Sequence, residues 1–260
     1  SFLIITAISL IVAGSSILNQ GVLGYVLLGS GIVLMALFIY SQTRVADPLI
    51  SLEVITSNRR LKSALLVQLI NYAGTFGITF LFSLYLQTIK QMTPQEAGVV
   101  LMISPIIMAC FAPIFGRISD RVSPEKITFV GMCFCLISTL IALTVNASTS
   151  MWIIYLQFSS MGLGFAMFSS PNINIIMSSV EKRFLGMASA IVAELRSLGM
   201  VISLTVITIS LSIYLGQNEL TIENASNYLQ AMHFSILTFA SLMAIGVAIS
   251  LHSLKKKSLR

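Results

Sequence analysis

Eight long apolar segments, separated by shorter polar gaps, make up nearly all of the chain. Most reach the length of about 20 residues at which a helix crosses the hydrocarbon core of a bilayer. Helices satisfy every backbone amide within lipid, and the alternation of a barrel strand is missing from these segments. The pattern therefore predicts an all-α polytopic transmembrane helix bundle. Its eight spans are predicted at residues 2–18, 22–40, 63–88, 95–115, 126–146, 151–172, 184–214 and 233–254.

The basic residues divide unequally between the two sets of alternate gaps. Of the 15 Lys and Arg residues, Lys90 alone lies in one set, and Arg196 lies inside a span. Lys and Arg accumulate in cytoplasmic loops. We therefore expect a multi-pass protein of the cell membrane with both ends of this chain in the cytoplasm. The cytoplasmic set is Arg44, Arg59, Arg60, Lys62, Arg117, Arg121, Lys126, Lys182, Arg183, Lys255, Lys256, Lys257 and Arg260.

Composition excludes several classes of protein. The chain is 56% hydrophobic and 9% charged, which is too apolar for a water-soluble domain. The net charge of +6 is spread over loops instead of one face, so no nucleic-acid partner is predicted. Cys110, Cys133 and Cys135 lie in apolar spans without metal-ligand spacing, and no H-E-x-x-H or G-x-S-x-G motif is present. We expect no enzyme activity, metal or cofactor.

The spacing of the spans predicts four regions. Residues 1–40 form an accessory pair of helices, and 41–62 form a cytoplasmic amphipathic linker. Residues 63–254 form a six-helix working bundle, and 255–260 a basic cytoplasmic tail. The apolar run begins at once at Ser1, which indicates a piece that starts inside a larger protein.

Local signals mark the starts of the fourth and fifth spans, and two prolines are expected to disturb the fourth. Thr93 and Glu96 form a capping box around Pro94, and Ser123-Pro124 is expected to open the fifth span in a similar way. Pro105 and Pro113 are expected to kink or loosen the fourth span.

Polar residues within the third and sixth spans are candidates for a substrate cavity. Steps of three and four residues place the third-span set on one helical face, which should avoid lipid. Hydrogen bonding between helices is the alternative explanation. In the sixth span, Asn172 could also end the helix and Asn174 could lie at the interface. The candidate cavity residues are Gln68, Asn71, Thr75, Thr79, Gln157, Asn172 and Asn174.

Two charges lie well inside the seventh span. Glu194 and Arg196 are two residues apart and project to different sides, so they are not expected to pair. A carboxylate near mid-membrane could exchange protons, whereas one nearer the edge would only be solvated. Arg196 shares a face with Gly199 and Ser203, which suits helix packing. No acid in the chain is obviously placed to pair with it.

Several motifs, in order along the chain, resemble one family. Gly116, Arg117, Asp120 and Arg121 form a G-x-x-x-D-R pattern in the predicted cytoplasmic loop after span four. This is similar to the loop signature of the major facilitator superfamily in its second-half copy. The other motifs resemble the fourteen-helix drug/proton antiporters of that family, and the resemblance covers the whole chain. They are Arg44 with Asp47-Pro48-Leu49, Tyr85-Leu86-Gln87, Pro94, Ala97-Gly98, Pro105, Gly162-x-Gly164, Ser170-Pro171-Asn172, Gly186-x-Ala188-Ser189 and Arg196-x-x-Gly199.

The resemblance implies a fragment of a secondary transporter that exports amphipathic drugs or similar small molecules in exchange for protons. This chain would supply the central helix pair and the second six-helix bundle, with the N-terminal bundle missing. The cavity would lie between the two bundles. Gly116, Arg117, Asp120 and Arg121 would form a cytoplasmic gating loop that makes contacts in one state only. The implied partners are membrane lipid, the missing bundle, a small-molecule substrate and protons. The alternative function is a membrane scaffold or assembly partner without transport of its own.

Overall fold

The computed structural model describes Thr6, Leu10, Gly14 and residues 22–42, 58–216, 220–221 and 223–257. The regular elements in these ranges are helices. A 3-10 turn, Lys182–Phe184, precedes the seventh of them. They are α1 (Val22–Gln42), α2 (Arg59–Thr88), α3 (Pro94–Leu101), α4 (Ile103–Arg121), α5 (Pro124–Leu143), α6 (Met151–Met177), α7 (Leu185–Leu215) and α8 (Ala225–Lys257).

Six helical segments in the described ranges are long and apolar enough to cross a membrane. They correspond to predicted spans three to eight, and α3 with α4 forms one of them. Predicted span two coincides with α1. Predicted span one lies almost wholly outside the described residues, so the count of eight stays a prediction.

Two helices, α2 and α8, begin at least four residues before the predicted starts of their spans. The side chain of Asn58 accepts hydrogen bonds from the backbone amides of Arg60 and Leu61, so α2 begins four residues before the predicted start at 63. The last residues of the predicted linker thus belong to α2, while 43–57 lie outside the described residues. At the other end, α8 already begins at Ala225, within the predicted external loop, and runs to Lys257.

The six spans form two groups of three, which we call triplets, and the first helix of each triplet packs mainly on helices of the other triplet. In the first triplet (α2, α3–α4, α5), the first helix, α2, packs mainly on α7 and α8 of the second triplet. In the second triplet (α6, α7, α8), the first helix, α6, packs mainly on α4 and α5 of the first. Each triplet therefore depends on the other for its core. This interleaving is the arrangement expected for nested three-helix repeats in a transporter bundle.

Glycines allow the closest helix contacts. A Cβ on Gly131 of α5 would lie 2.8 Å from the backbone nitrogen of Phe168 in α6. A Cβ on Gly199 of α7 would lie 2.9 Å from the carbonyl oxygen of Leu69 in α2. Small residues at such crossings let backbones approach, which is how membrane helices gain packing energy without a hydrophobic driving force.

Polar contacts identify two opposite ends of the bundle. At one end, Lys90 Nζ donates to the carbonyl oxygens of Ala147 and Thr149, at 2.9 and 2.7 Å. At the other end, Arg60 of α2 pairs with Glu125 of α5 at 2.7 Å. The second end holds residues 58–62, 117–126, 178–184 and 252–257, and we call it the basic end. The two alternating sets of loops that were predicted from the sequence therefore lie at opposite ends of the bundle.

The fourth predicted span is interrupted at Met102, where α3 ends and α4 begins. In a continuous helix the amide of residue 105 would donate to the carbonyl of Leu101, the last residue of α3. Pro105 has no amide hydrogen and cannot form this bond. The predicted loosening by Pro105 is therefore confirmed. Pro113, by contrast, lies inside the uninterrupted α4.

The predicted gating residues lie in a helix and not in a loop. Gly116, Arg117, Asp120 and Arg121 form the end of α4, and only Val122 and Ser123 separate α4 from α5. The prediction of a loop at these residues was wrong, because α4 continues for about one and a half turns beyond the predicted edge of the span.

The capping predictions had different outcomes at the two span starts. Both hydrogen bonds of the Thr93–Glu96 capping box are present. Ser123 occupies the N-cap position of α5 beside Pro124 but does not cap the backbone with its side chain. Its hydroxyl donates to Glu125 Oε2 at 2.7 Å instead.

Candidate functional site

A cleft of about 270 Å³ opens between α2, the α3–α4 segment and α6. We call it the central cleft. Its walls combine aromatic rings and methionines with a few hydroxyl groups, which suits an amphipathic ligand. Along α2 it lies near the middle of the membrane, since Tyr72 is about 20 Å from either end of that helix. The lining residues are Tyr72, Thr75, Phe76, Thr79, Leu101, Ser104, Pro105, Met108, Met161 and Phe165.

Tyr72 connects this cleft to the charge on α7. Its ring contacts Phe165 of α6 edge-on, with 5.8 Å between the ring centroids. On its other side, the guanidinium carbon of Arg196 lies 5.2 Å from the Tyr72 ring centroid. A cation over an aromatic face is stabilised by the ring quadrupole. The sequence indicated that Arg196 needs a partner but did not identify this one.

The hydrogen-bonding groups of Arg196 are not all satisfied within the described residues. Its Nε is buried and has no hydrogen-bond partner there. The ion pairs found in the described ranges are Arg60–Glu125 and Arg183–Glu181, neither of which involves Arg196. Glu194 is half-buried on the same helix and is not a member of either ion pair. That Glu194 and Arg196 do not pair stays a prediction.

The polar stripe of α2 divides by depth. Thr75 and Thr79 line the central cleft. Nearer the basic end, Gln68 and Asn71 are buried between helices. Asn172 Nδ2 of α6 donates to Gln68 Oε1 at 2.9 Å, and Asn71 Nδ2 contacts the sulfur of Met132 at 3.2 Å. Gln68 hydrogen-bonds directly to α6, whereas Thr79 lines the cleft, so one helical face has two environments.

The polar residues of α6 also hold helices together. Gln157 is fully buried, and its Nε2 donates to Ser138 Oγ of α5 at 3.1 Å. Asn172 additionally donates to the carbonyl oxygen of Ala64 at 3.2 Å. Asn174 is half-buried close to the end of α6 at Met177.

Five predicted cavity residues, Asn174 among them, therefore do not line the central cleft in this conformation. Gln68, Asn71, Gln157 and Asn172 make the interhelical contacts that were the alternative explanation. Asn71 Oδ1, Gln157 Oε1 and Asn172 Oδ1 nevertheless lack hydrogen-bond partners within the described residues. These amides are therefore only partly satisfied by the described residues.

The predicted gating residues lie at the basic end. Arg117 and Arg121 are exposed there, and a Cβ on Gly116 would lie 3.1 Å from Ser170 Oγ of α6. Their contacts to a second bundle stay a prediction. Glu125 was missed by the sequence analysis although it is 4% exposed and joins α5 to Arg60. Its position directly after Pro124, at a helix start, was the available signal.

Metal-binding chemistry finds no support in the described ranges, where no group of three His, Cys, Asp or Glu side chains could hold an ion. The central cleft offers aromatic, apolar and hydroxyl surfaces, and Arg196 contacts one of its rings.

Several characterised transporters are similar to this chain. A riboflavin transporter of Clostridioides difficile (strain 630) is 26% identical over 185 residues, which cover 71% of this chain and 41% of that protein. The multidrug efflux pump LfrA of Mycolicibacterium smegmatis is 25% identical over 66% of this chain and 34% of the pump. The multidrug resistance protein Stp of Mycobacterium tuberculosis is 22% identical over 70% of this chain and 34% of that protein. The chain thus spans well under half the length of these relatives.

The comparison at family level is broader. The sequence profile described as Major Facilitator Superfamily matches residues 1–204, which include predicted spans one to six and much of α7. The interleaved triplets and the mid-membrane cleft agree with this match. The chain belongs to the major facilitator superfamily, a family of membrane transporters.

Proposed function

We propose that the central cleft forms one wall of the substrate cavity of a secondary transporter. The observation that carries the proposal is the cleft itself, which opens between α2, the α3–α4 segment and α6 near mid-membrane and is lined by half-buried Thr79 together with Tyr72. In transporters of this architecture the binding site lies between repeats near the bilayer midplane. A second helix bundle facing this cleft would complete the cavity.

The chain fits the C-terminal portion of a fourteen-helix drug/proton antiporter. In this proposal residues 1–40 are the accessory helix pair, and 63–254 are the second bundle. The basic end faces the cytoplasm, because Lys and Arg are retained there. Large apolar side chains next to the cleft support contact with another bundle. Met102 and Ile106 are 55% and 51% exposed.

The proposed substrates are amphipathic small molecules, moved outward by alternating access. Tyr72, Phe76 and Phe165 offer aromatic surface, and Met108 and Met161 offer adaptable apolar surface. Two relatives are named for multidrug resistance or efflux and another for riboflavin transport. Such a site accepts varied ligands because few fixed polar groups select among them.

The proposed proton carrier is Glu194. It is a half-buried carboxylate within a membrane span and has no ion pair with a described residue. Intramembrane carboxylates frequently form proton relays. A proton that binds Glu194 in one state and leaves in the other would couple the gradient to transport.

The test uses the full-length gene product in vesicles, with efflux of an amphipathic fluorescent dye measured under an imposed pH gradient. Glu194→Gln is expected to reduce gradient-driven efflux by about 10- to 100-fold, because the variant cannot bind and release a proton. Dye movement down its own concentration gradient should persist. Glu223→Gln is the matched control, since Glu223 is exposed at the opposite end of the bundle from the basic end.

Two outcomes would contradict parts of this proposal. Unchanged coupling in Glu194→Gln would remove this carboxylate from the mechanism. Folded protein that moves no dye under any gradient would favour the scaffold function instead.

A further inference from the structure

A groove of about 720 Å³ runs between the first turns of α2 and the last turns of α8. We call it the α2–α8 groove. It lies at the basic end of the bundle and does not share a lining residue with the central cleft. Its volume is in the range of small-ligand pockets, about 300–1,000 Å³. Its lining residues are Arg59, Lys62, Ser63, Leu66, Ile245, Ala248, Ile249 and His252.

The two walls of the groove have matching helical registers. Arg59, Lys62, Ser63 and Leu66 are spaced by three and four residues and form one face of α2. The wall from α8 repeats this spacing over residues 245, 248, 249 and 252. Two nearly continuous faces therefore oppose each other.

Polarity changes along the groove in the direction of the membrane normal. The polar part contains the basic groups of Arg59 and Lys62 with Ser63 and His252. About 10 Å further along α2 the groove becomes apolar, at the level of Leu66. Leu66 and Ile245 are 40% and 53% exposed, in spans long enough to cross the bilayer. The groove thus has a cationic mouth and an apolar floor.

Arg59 is held in place by the opposite wall, and neither Arg59 nor Lys62 forms an ion pair with an acid of the described ranges. Arg59 Nη2 donates to His252 Nε2 at 2.9 Å, which joins the two walls. Arginine has five N–H donors and no acceptor, so further donors of its guanidinium stay available. The groove lining contains neither Asp nor Glu. Glu125, the acid beside the neighbouring Arg60, pairs with that residue.

We propose that the α2–α8 groove binds an anionic phospholipid, with its phosphate at Arg59 and Lys62 and an acyl chain along Leu66, Ala248 and Ile249. The charges complement a phosphodiester, and basic pockets between membrane helices are suited to such headgroups. The apolar floor is what distinguishes a lipid from a soluble anion. The inference requires only that the chain is a membrane protein and is independent of the transport proposal.

The test measures binding of phosphatidylglycerol to the delipidated full-length protein in detergent by native mass spectrometry. The double variant Arg59→Gln/Lys62→Gln is expected to bind this lipid about tenfold more weakly, since it removes two headgroup contacts. Lys126→Gln/Lys182→Gln removes the same charge from exposed positions elsewhere at the basic end and should change binding by less than about twofold.

A second arm tests the apolar floor without a change in charge. Ala248→Phe should fill the groove and also weaken phosphatidylglycerol binding, while gel filtration shows an unchanged folded protein. Phosphatidylcholine, which has the phosphate but no net charge, should bind more weakly than phosphatidylglycerol to the parent protein.

Three results would overturn the proposal. One is an equal loss of binding in both double variants, which would indicate general surface charge. Another is equal binding of the two lipids. The third is complete displacement of the lipid by inorganic phosphate, which would show that the acyl chain contributes nothing.

Discussion

Replacing Gly131 by alanine is expected to destabilise the bundle by about 1–3 kcal/mol or more. The added Cβ would lie 2.8–2.9 Å from backbone atoms of Phe168, Gly164 and Met167 in α6. Backbone atoms cannot rotate away as a flexible side chain can, so α5 and α6 must separate. Their separation would also loosen the Gln157–Ser138 hydrogen bond that joins these helices. The measurement is gel filtration of detergent-solubilised protein after heating. The temperature at which the monodisperse peak is lost should be clearly lower for the variant.

Gly186→Ala is the matched control for this prediction. Gly186 lies in the first turn of α7, and a Cβ there would meet nothing within 4 Å. Alanine also favours a helix over glycine, so this variant should be neutral or slightly stabilising. Equal melting behaviour of the two alanine variants would show that α5 and α6 are not in backbone contact at Gly131.

Replacing Arg196 by glutamine is expected to reduce transport by about 10- to 100-fold, because the variant removes a charge-assisted interaction near mid-membrane. Arg196 is the one cation of the described residues that contacts a ring of the central cleft, through Tyr72. Its buried, unpaired Nε leaves hydrogen-bonding capacity for a substrate or for an acid of another bundle. Transport of a labelled substrate into vesicles from the full-length protein gives the measurement.

Further variants separate the charge of Arg196 from its shape. Arg196→Lys keeps the charge but loses the planar group that stacks on Tyr72, so it should restore transport only in part. Tyr72→Phe keeps the ring face and should be mild, whereas Tyr72→Leu should resemble the lysine variant.

Arg183→Gln serves as the matched control for the removal of an arginine. Arg183 is 71% exposed and pairs with Glu181 at the surface, so its replacement should have little effect. If Arg196→Gln transports as well as Arg183→Gln, then the contact between α7 and the central cleft has no part in transport.

The spans were predictable from the sequence because lipid imposes simple demands on length and hydrogen bonding. The capping box at Thr93 marked the start of α3, and the basic gaps marked one end of the bundle. Each of these signals is local and acts within one helix or loop. They needed no knowledge of which helices are neighbours.

The central cleft was only half predictable, because it depends on how α2, the α3–α4 segment and α6 meet. Thr75 and Gln68 share one polar stripe in the sequence, yet Thr75 lines the cleft and Gln68 hydrogen-bonds to Asn172. The sequence analysis did not single out Tyr72, although its ring contacts both Phe165 and Arg196. The position of a residue along α2 decides whether it lines the cleft or packs against another helix. The periodicity of the sequence shows only which face of the helix the residue lies on.

The polar contacts at the basic end illustrate the same limit. The Arg60–Glu125 pair joins residues far apart in sequence, and neither residue is in a motif. Charge counting placed Arg60 correctly at this end of the bundle but could not identify its partner. Likewise, the G-x-x-x-D-R pattern at residues 116–121 indicated where the fourth span ends but not that these residues are helical.

Cysteine accessibility at Thr79 tests most directly whether the central cleft belongs to a water-filled substrate cavity. In a full-length protein with Cys110, Cys133 and Cys135 replaced by serine, Thr79→Cys should react with a membrane-impermeant maleimide, and bound substrate should slow the reaction. Leu237→Cys, at an exposed position on α8 outside the cleft, should resist the same reagent. Resistance of both cysteines, or labelling of Thr79→Cys that no substrate slows, would contradict the account.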